Sequence, residues 1–134
     1  MKKLLIISAL SILTGCATGE GAGMPSPSTP VFFKPYSAAL DQNALTTIDA
    51  VAIAARAHPD MPVIVVGTSE NKGDVSALSK ALSEQRANAV AAQLEADGVN
   101  KSRLQVFGAG AVDTPKGINE SQGARRVLIS IGTR

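Results

Sequence analysis

The run from Met61 to Gly67 (MPVIVVG) is apolar throughout and carries four β-branched side chains in a row, Val63 to Val66. Seven residues are too few for a buried helix, and an unbroken apolar strand has to be covered on both faces. A stretch of helical periodicity lies on each side of it. Before it, Leu45, Ile48, Ala52 and Ala55 recur at helical spacing, Asp41 stands at an N-cap position and Pro59 stops the pattern. This predicts a helix from about Gln42 to Ala57. After it, Leu78, Leu82, Ala89 and Ala96 fall on one side of a helix from about Val75 to Ala96. Gly98 stands where a left-handed C-cap belongs, with Val99 placed to pack back on the helix. A central strand held between two such helices excludes an all-helical bundle and an all-β sandwich.

Three further strands are expected. Val31-Phe32-Phe33 is a short apolar run ending before Pro35. Leu104 to Phe107 is a third strand, with Gly108-Ala109-Gly110 as the turn that ends it, and residues 111–124 read as polar and irregular. Arg126 to Ile131 alternates, with Val127, Ile129 and Ile131 on one face. The order β-α-β-α-β-β makes a two-layer α/β (α+β) sandwich, in which β-α-β units favour parallel pairing with right-handed crossovers. About 104 residues, from 31 to 134, suffice for one core.

The first 15 residues (MKKLLIISALSILTG) have a cationic start and an apolar run from Leu4 to Leu13, too short to span a bilayer. That is the build of a secretory signal. Leu13-Thr14-Gly15-Cys16 resembles the bacterial lipobox, which implies cleavage before Cys16 and acylation of it. At about 0.8 kcal/mol per buried methylene, two or three acyl chains anchor a protein durably. Ala17 follows the cysteine, which by the same resemblance favours the outer membrane over the inner one. Residues 16–30 are rich in Gly, Pro, Ser and Thr and read as the acylated cysteine with a flexible tether. The expected division is signal 1–15, anchor and linker 16–30, and folded body 31–134.

Charge narrows the function classes. The chain has 13 basic and 11 acidic residues. Lys2 and Lys3 belong to the signal, so the remainder is neutral, with no basic surplus for nucleic acid. One His and one Cys leave no material for a His- or Cys-rich metal site, and no cofactor is implied. Arg86 falls near Leu82, Ala89 and Val90, at the edge of the expected apolar stripe, where a guanidinium needs a partner; Glu84 or another surface carboxylate is the ordinary one. Glu70 follows the most buried strand, and ligands of open α/β sheets sit at the carboxyl ends of strands. Arg125 and Arg126 precede the last strand, one on each face. His58 is placed to meet the carbonyls that end the first helix. Ser83 has no nearby histidine to make it a nucleophile.

Taken in order, Val31-Phe32-Phe33…Ser37-Ala38-Ala39-Leu40, Val63 to Gly67, Leu82-Ser83-Glu84-Gln85-Arg86-Ala87-Asn88-Ala89-Val90, Gly98-Val99…Arg103-Leu104…Gly108-Ala109-Gly110 and Arg125-Arg126-Val127 resemble the motifs of the OmpA-like, Pal-type peptidoglycan-associated domain. The resemblance spans roughly Val31 to Ile131 and implies a mixed four-stranded sheet with two long helices. It also implies binding, without catalysis, of the diaminopimelate-type residue of the peptidoglycan stem peptide. In the family a loop aspartate and the arginine of "LSxxRA" hold the zwitterionic end of that residue. The arginine carries over onto Arg86, which as a ligand-facing group would need no internal partner. Glu70 stands at the aspartate's place in Gly67-Thr68-Ser69-Glu70-Asn71-Lys72-Gly73, with one extra residue before the helix. The family's Tyr-Asn pair reads Leu78-Ser79, the asparagine before the paired arginines is Ala124, and the acidic first-strand segment reads Phe33-Lys34-Pro35-Tyr36-Ser37. The resemblance thus assigns ligand binding to Glu70, Ser79, Arg86 and Arg125, and lipidation to Cys16. The expected partners are peptidoglycan and, through the anchor, the outer membrane, with the domain facing the periplasm. The rival expectation is an interaction subunit of an envelope complex, such as a secretion or conjugation apparatus. A wall hydrolase using Glu70 as its acid comes third, because no second carboxylate is paired with Glu70 at a recognisable spacing.

Overall fold

A computed structural model describes residues 27–70, 76–112 and 120–132. The expected signal peptide, Cys16, most of the tether and the extra residue before the second helix lie outside the described residues. The elements are β1 (Ser28–Phe32), α1 (Gln42–Ala57), β2 (Val63–Glu70), α2 (Ser76–Ala96), a 3-10 turn (Lys101–Arg103), β3 (Leu104–Val112), α3 (Glu120–Ala124) and β4 (Arg126–Ile131).

The four strands form one mixed sheet in the order β1-β4-β2-β3. β2 and β3 pair in parallel across α2, as a right-handed unit of this kind favours. The other β-α-β unit is split, because β4 inserts between β1 and β2 and runs antiparallel to both. Strand alternation turns Val31, Val63, Val65, Val127 and Ile129 to the helices, and all are essentially fully buried. Ile48, Ala52 and Ala55 of α1 and Ala87, Val90 and Leu94 of α2 close the same core. Each fully buried Val, Ile or Leu contributes about 1.5–3 kcal/mol.

The start of α1 and the end of α2 are capped as the sequence demands. The Asp41 carboxylate accepts from the Ala44 N–H (2.8 Å), capping α1. At the end of α2, Gly98 has φ 95°, its N–H donates to the Glu95 carbonyl (3.0 Å), and the Val99 N–H donates to the Leu94 carbonyl (2.9 Å). This is a Schellman closure, with Val99 buried behind it. The end of α1 differs from expectation: the side-chain donors described there come from Arg103, not His58. Its guanidinium reaches the carbonyls of Ala55 (2.9 Å), His58 (2.7 Å) and Met61 (2.7 Å), tying the start of β3 to α1.

Several boundaries move. β1 starts at Ser28, so residues 28–30, expected in the linker, pair with Ser130, Ile129 and Leu128. β2 runs on through Thr68, Ser69 and Glu70, which were expected in a loop. Gly108 to Gly110 are not a turn; they lie inside β3. Residues 120–124, expected to be irregular, form α3.

The largest correction concerns the face of α2. Leu78 is 68% exposed and Ala96 is exposed, whereas Ser79, Ser83, Arg86, Ala87, Val90 and Leu94 are buried. The buried stripe is therefore rotated by about one residue from the apolar one. The cause is the closeness of α2 to the sheet. A Cβ on Gly67 would stand 2.0 Å from the Ser83 carbonyl oxygen, and one on Gly108 would stand 2.3 Å from the Glu84 Cγ. Only small side chains fit a helix face at that distance, and the serines satisfy their hydroxyls locally. Ser83 Oγ donates to the Lys80 carbonyl (2.7 Å) and accepts from the Gly110 N–H (2.9 Å).

Candidate functional site

The carboxyl end of β2, the first turns of α2, the chain just after β1 and the residue before β4 meet at one pocket. It is lined by Tyr36, Ser69, Glu70, Leu78, Ser79, Leu82, Arg86 and Arg125, and its volume is about 130 Å³. Closed small-molecule sites are roughly 300–1,000 Å³, so this one can seat the end group of a longer ligand but not enclose it.

Two reciprocal hydrogen bonds lace β2 to α2 at the pocket. Ser69 Oγ donates to the Ser79 carbonyl (3.0 Å), and Ser79 Oγ donates to the Glu70 carbonyl (3.1 Å). The Ser79 hydroxyl proton is thus committed to the backbone of Glu70, so Ser79 fixes where the carboxylate starts from. The Thr68 hydroxyl, one residue before this pair, donates to the Ala124 carbonyl at 2.7 Å, with the Arg126 carbonyl at 3.0 Å. That contact brings the end of α3, and with it Arg125, over the end of β2.

Glu70 and Arg125 form an ion pair through Oε1 and Nη1. Their side chains are 14% and 15% exposed, so the pair is largely shielded but still reachable from solvent. Arg125 Nε also donates to the Phe33 carbonyl (3.2 Å), which holds the guanidinium in place.

Arg86 lies beneath them with no exposed surface. Its guanidinium donates to three backbone carbonyls: Nε to Ser37 (2.8 Å), Nη1 to Thr68 (3.1 Å) and Nη2 to Lys34 (3.2 Å). The Phe33 ring centroid is 5.4 Å from its Cζ, within cation–π range. The sequence placed this residue at the edge of a stripe, facing a ligand or a surface acid. The structure instead gives it internal partners on three sides, while Glu84 pairs with Lys80 at 3.3 Å. A guanidinium has five N–H donors, so one remains on each Nη. Burial, and then the like charge of Arg125, lower the Arg86 pKa below its ordinary value, and Glu70 works in the opposite direction.

The structure therefore brings Glu70, Ser79, Arg86 and Arg125 into one site. Sequence reasoning missed Tyr36 as a lining residue; it lies in the Phe33–Ser37 segment that departs from the resembled motif, and nothing in the pattern singled it out. The arrangement offers one carboxylate and two guanidiniums, so groups of either charge can be met there.

The OmpA family model matches residues 32–127. This chain belongs to the OmpA family. A relative from Escherichia coli (strain K12), described as probable lipoprotein YiaD, is 32% identical over 104 residues, covering 75% of this chain and 47% of that protein. The chain thus spans about half the length of that relative. Among solved structures, the peptidoglycan-associated lipoprotein of Burkholderia pseudomallei superposes with a TM-score of 0.69 at 21% identity, over 76% of this chain and 88% of that one. The periplasmic domain of Helicobacter pylori MotB superposes with a TM-score of 0.67 at 24% identity, over 79% and 74%. At such identities the likeness is one of fold.

Proposed function

We propose that this OmpA-family chain is a non-enzymatic lipoprotein of the outer membrane whose domain binds the diaminopimelate-type end of a peptidoglycan stem peptide and so tethers the membrane to the wall. The observation that carries this reading is the shielded Glu70–Arg125 couple at the mouth of a small pocket, with the Arg86 guanidinium as its floor. A free amino-acid end group carries an ammonium and a carboxylate a few ångströms apart. The ammonium would take Glu70, and the carboxylate would take Arg125 in the same exchange, so no charge is left buried without a partner. The remaining N–H groups of Arg86 add positive potential below. Ser79 positions Glu70 through its carbonyl, and the anchor at Cys16 would hold the domain near the membrane. Among the described lining residues Glu70 is the one carboxylate, and it is paired with Arg125, which supports a reading of binding.

A pulldown of the full chain on purified sacculi tests this. Binding is expected, with strong loss in Glu70→Gln and in Arg125→Gln. The second reading, an interaction subunit of an envelope complex, is favoured by the fact that Glu70 and Arg125 already pair with each other and Arg86 is already held by backbone carbonyls. Absence of sacculus binding by the unaltered chain, together with its recovery in a stable envelope complex, would put that reading first.

A further inference from the structure

Lys34, Pro35, Tyr36 and Ser37 make a β-turn closed by the Ser37 N–H on the Lys34 carbonyl (3.2 Å). Pro35 takes the second position and Tyr36 the third, with φ 54°. Among the described residues Tyr36 is the only non-glycine at positive φ. The third place of a type II turn normally takes Gly or Asn, and a bulky residue there is strained. The turn is over-determined from below: Arg86 donates to the carbonyls of both its corners, Ser37 and Lys34. Strain held in this way gathers at binding sites. The strained residue is also 76% exposed and lines the pocket mouth. Leu78, 68% exposed, lines the same pocket at the start of α2.

We propose that Tyr36 and Leu78 form an apolar subsite at the rim, gripping the uncharged aliphatic stretch of a ligand next to the zwitterionic end that enters the pocket. This inference rests on the reading of the pocket as the seat of such an end group. A pocket of about 130 Å³ leaves the rest of the ligand outside, against these two side chains. An aromatic face and a branched aliphatic suit methylenes.

The chain supplies its own probe, because Tyr36 is its single tyrosine and it has no tryptophan. The full chain is titrated with a diaminopimelate-bearing tripeptide, followed by tyrosine emission and by calorimetry. Saturable change in emission is expected. Tyr36→Phe should keep the affinity. Tyr36→Asn, which suits the turn, and Leu78→Ser should each weaken tripeptide binding roughly tenfold, or about 1.4 kcal/mol, without lowering Tm. Glu70→Gln should abolish binding. If Tyr36→Asn and Leu78→Ser bind as tightly as the unaltered chain while Glu70→Gln does not bind, the subsite is wrong and the pocket reading stands. If the unaltered chain binds no tripeptide and its emission does not move, both fall.

Discussion

Replacing Arg86 separates a ligand-facing arginine from one the fold requires. In Arg86→Ala the carbonyls of Ser37, Thr68 and Lys34 lose the guanidinium as a donor, and Lys34 keeps only the Ser37 N–H. A hydrogen bond from a charged donor contributes about 1.5–3 kcal/mol. Water can replace the guanidinium at Ser37 and Lys34, which are half-exposed or exposed, so only the bond to buried Thr68 counts in full. The void left by a side chain with no exposed surface adds to this. The total is about 3–5 kcal/mol, a large share of the roughly 5–15 kcal/mol that stabilises a typical domain. Tm should fall by roughly 12–25 °C. Arg86→Lys keeps the charge, but a single ammonium cannot serve three carbonyls set around a planar fork. It should cost about 2 kcal/mol. Urea denaturation of the full chain, with the m-value checked for constancy, measures both. A loss below about 1 kcal/mol in both variants, together with abolished sacculus binding, would refute the reasoning and return Arg86 to a purely ligand-facing role.

Gly67→Ala should destabilise by about 2–3 kcal/mol, read by thermal unfolding, because its Cβ meets the backbone of α2 at 2.0 Å and the helix must lift off the sheet. A chain starting at Val31 should be less stable than one starting at Ala17, by about 1–3 kcal/mol, since it loses the pairing of Ser28, Thr29 and Pro30 with β4; equal Tm values would show that this end of β1 contributes nothing. Cys16→Ser should leave the folded domain intact and release it from the membrane fraction, and sedimentation with outer membranes after a salt wash would contradict lipid anchoring. Leu94→Ala, in the centre of the core, should cost about 2–5 kcal/mol by the same denaturation assay.

The local signals in the sequence were sufficient for elements whose ends and faces are set by neighbours in the chain. Asp41 and Gly98 fixed helix ends because capping is a contact over three to five residues. The alternation of Val127, Ile129 and Ile131 fixed the core face of β4 because side chains on a strand repeat every second residue. The family was legible for the same reason, through ordered short motifs. The sheet order was not, because the insertion of β4 between β1 and β2 joins it to segments about a hundred and about sixty residues away. Nor was the buried face of α2. Hydrophobicity alone put Leu78 inward, whereas Gly67 and Gly108 draw the helix so close that small hydroxyl residues win the interface. The same closeness drives Arg86 under the pocket, where three carbonyls from distant segments take its donors. Residue type marked Glu70, Arg86 and Arg125 as charges in search of partners; only the tertiary structure decided which charge meets another charge and which meets the backbone.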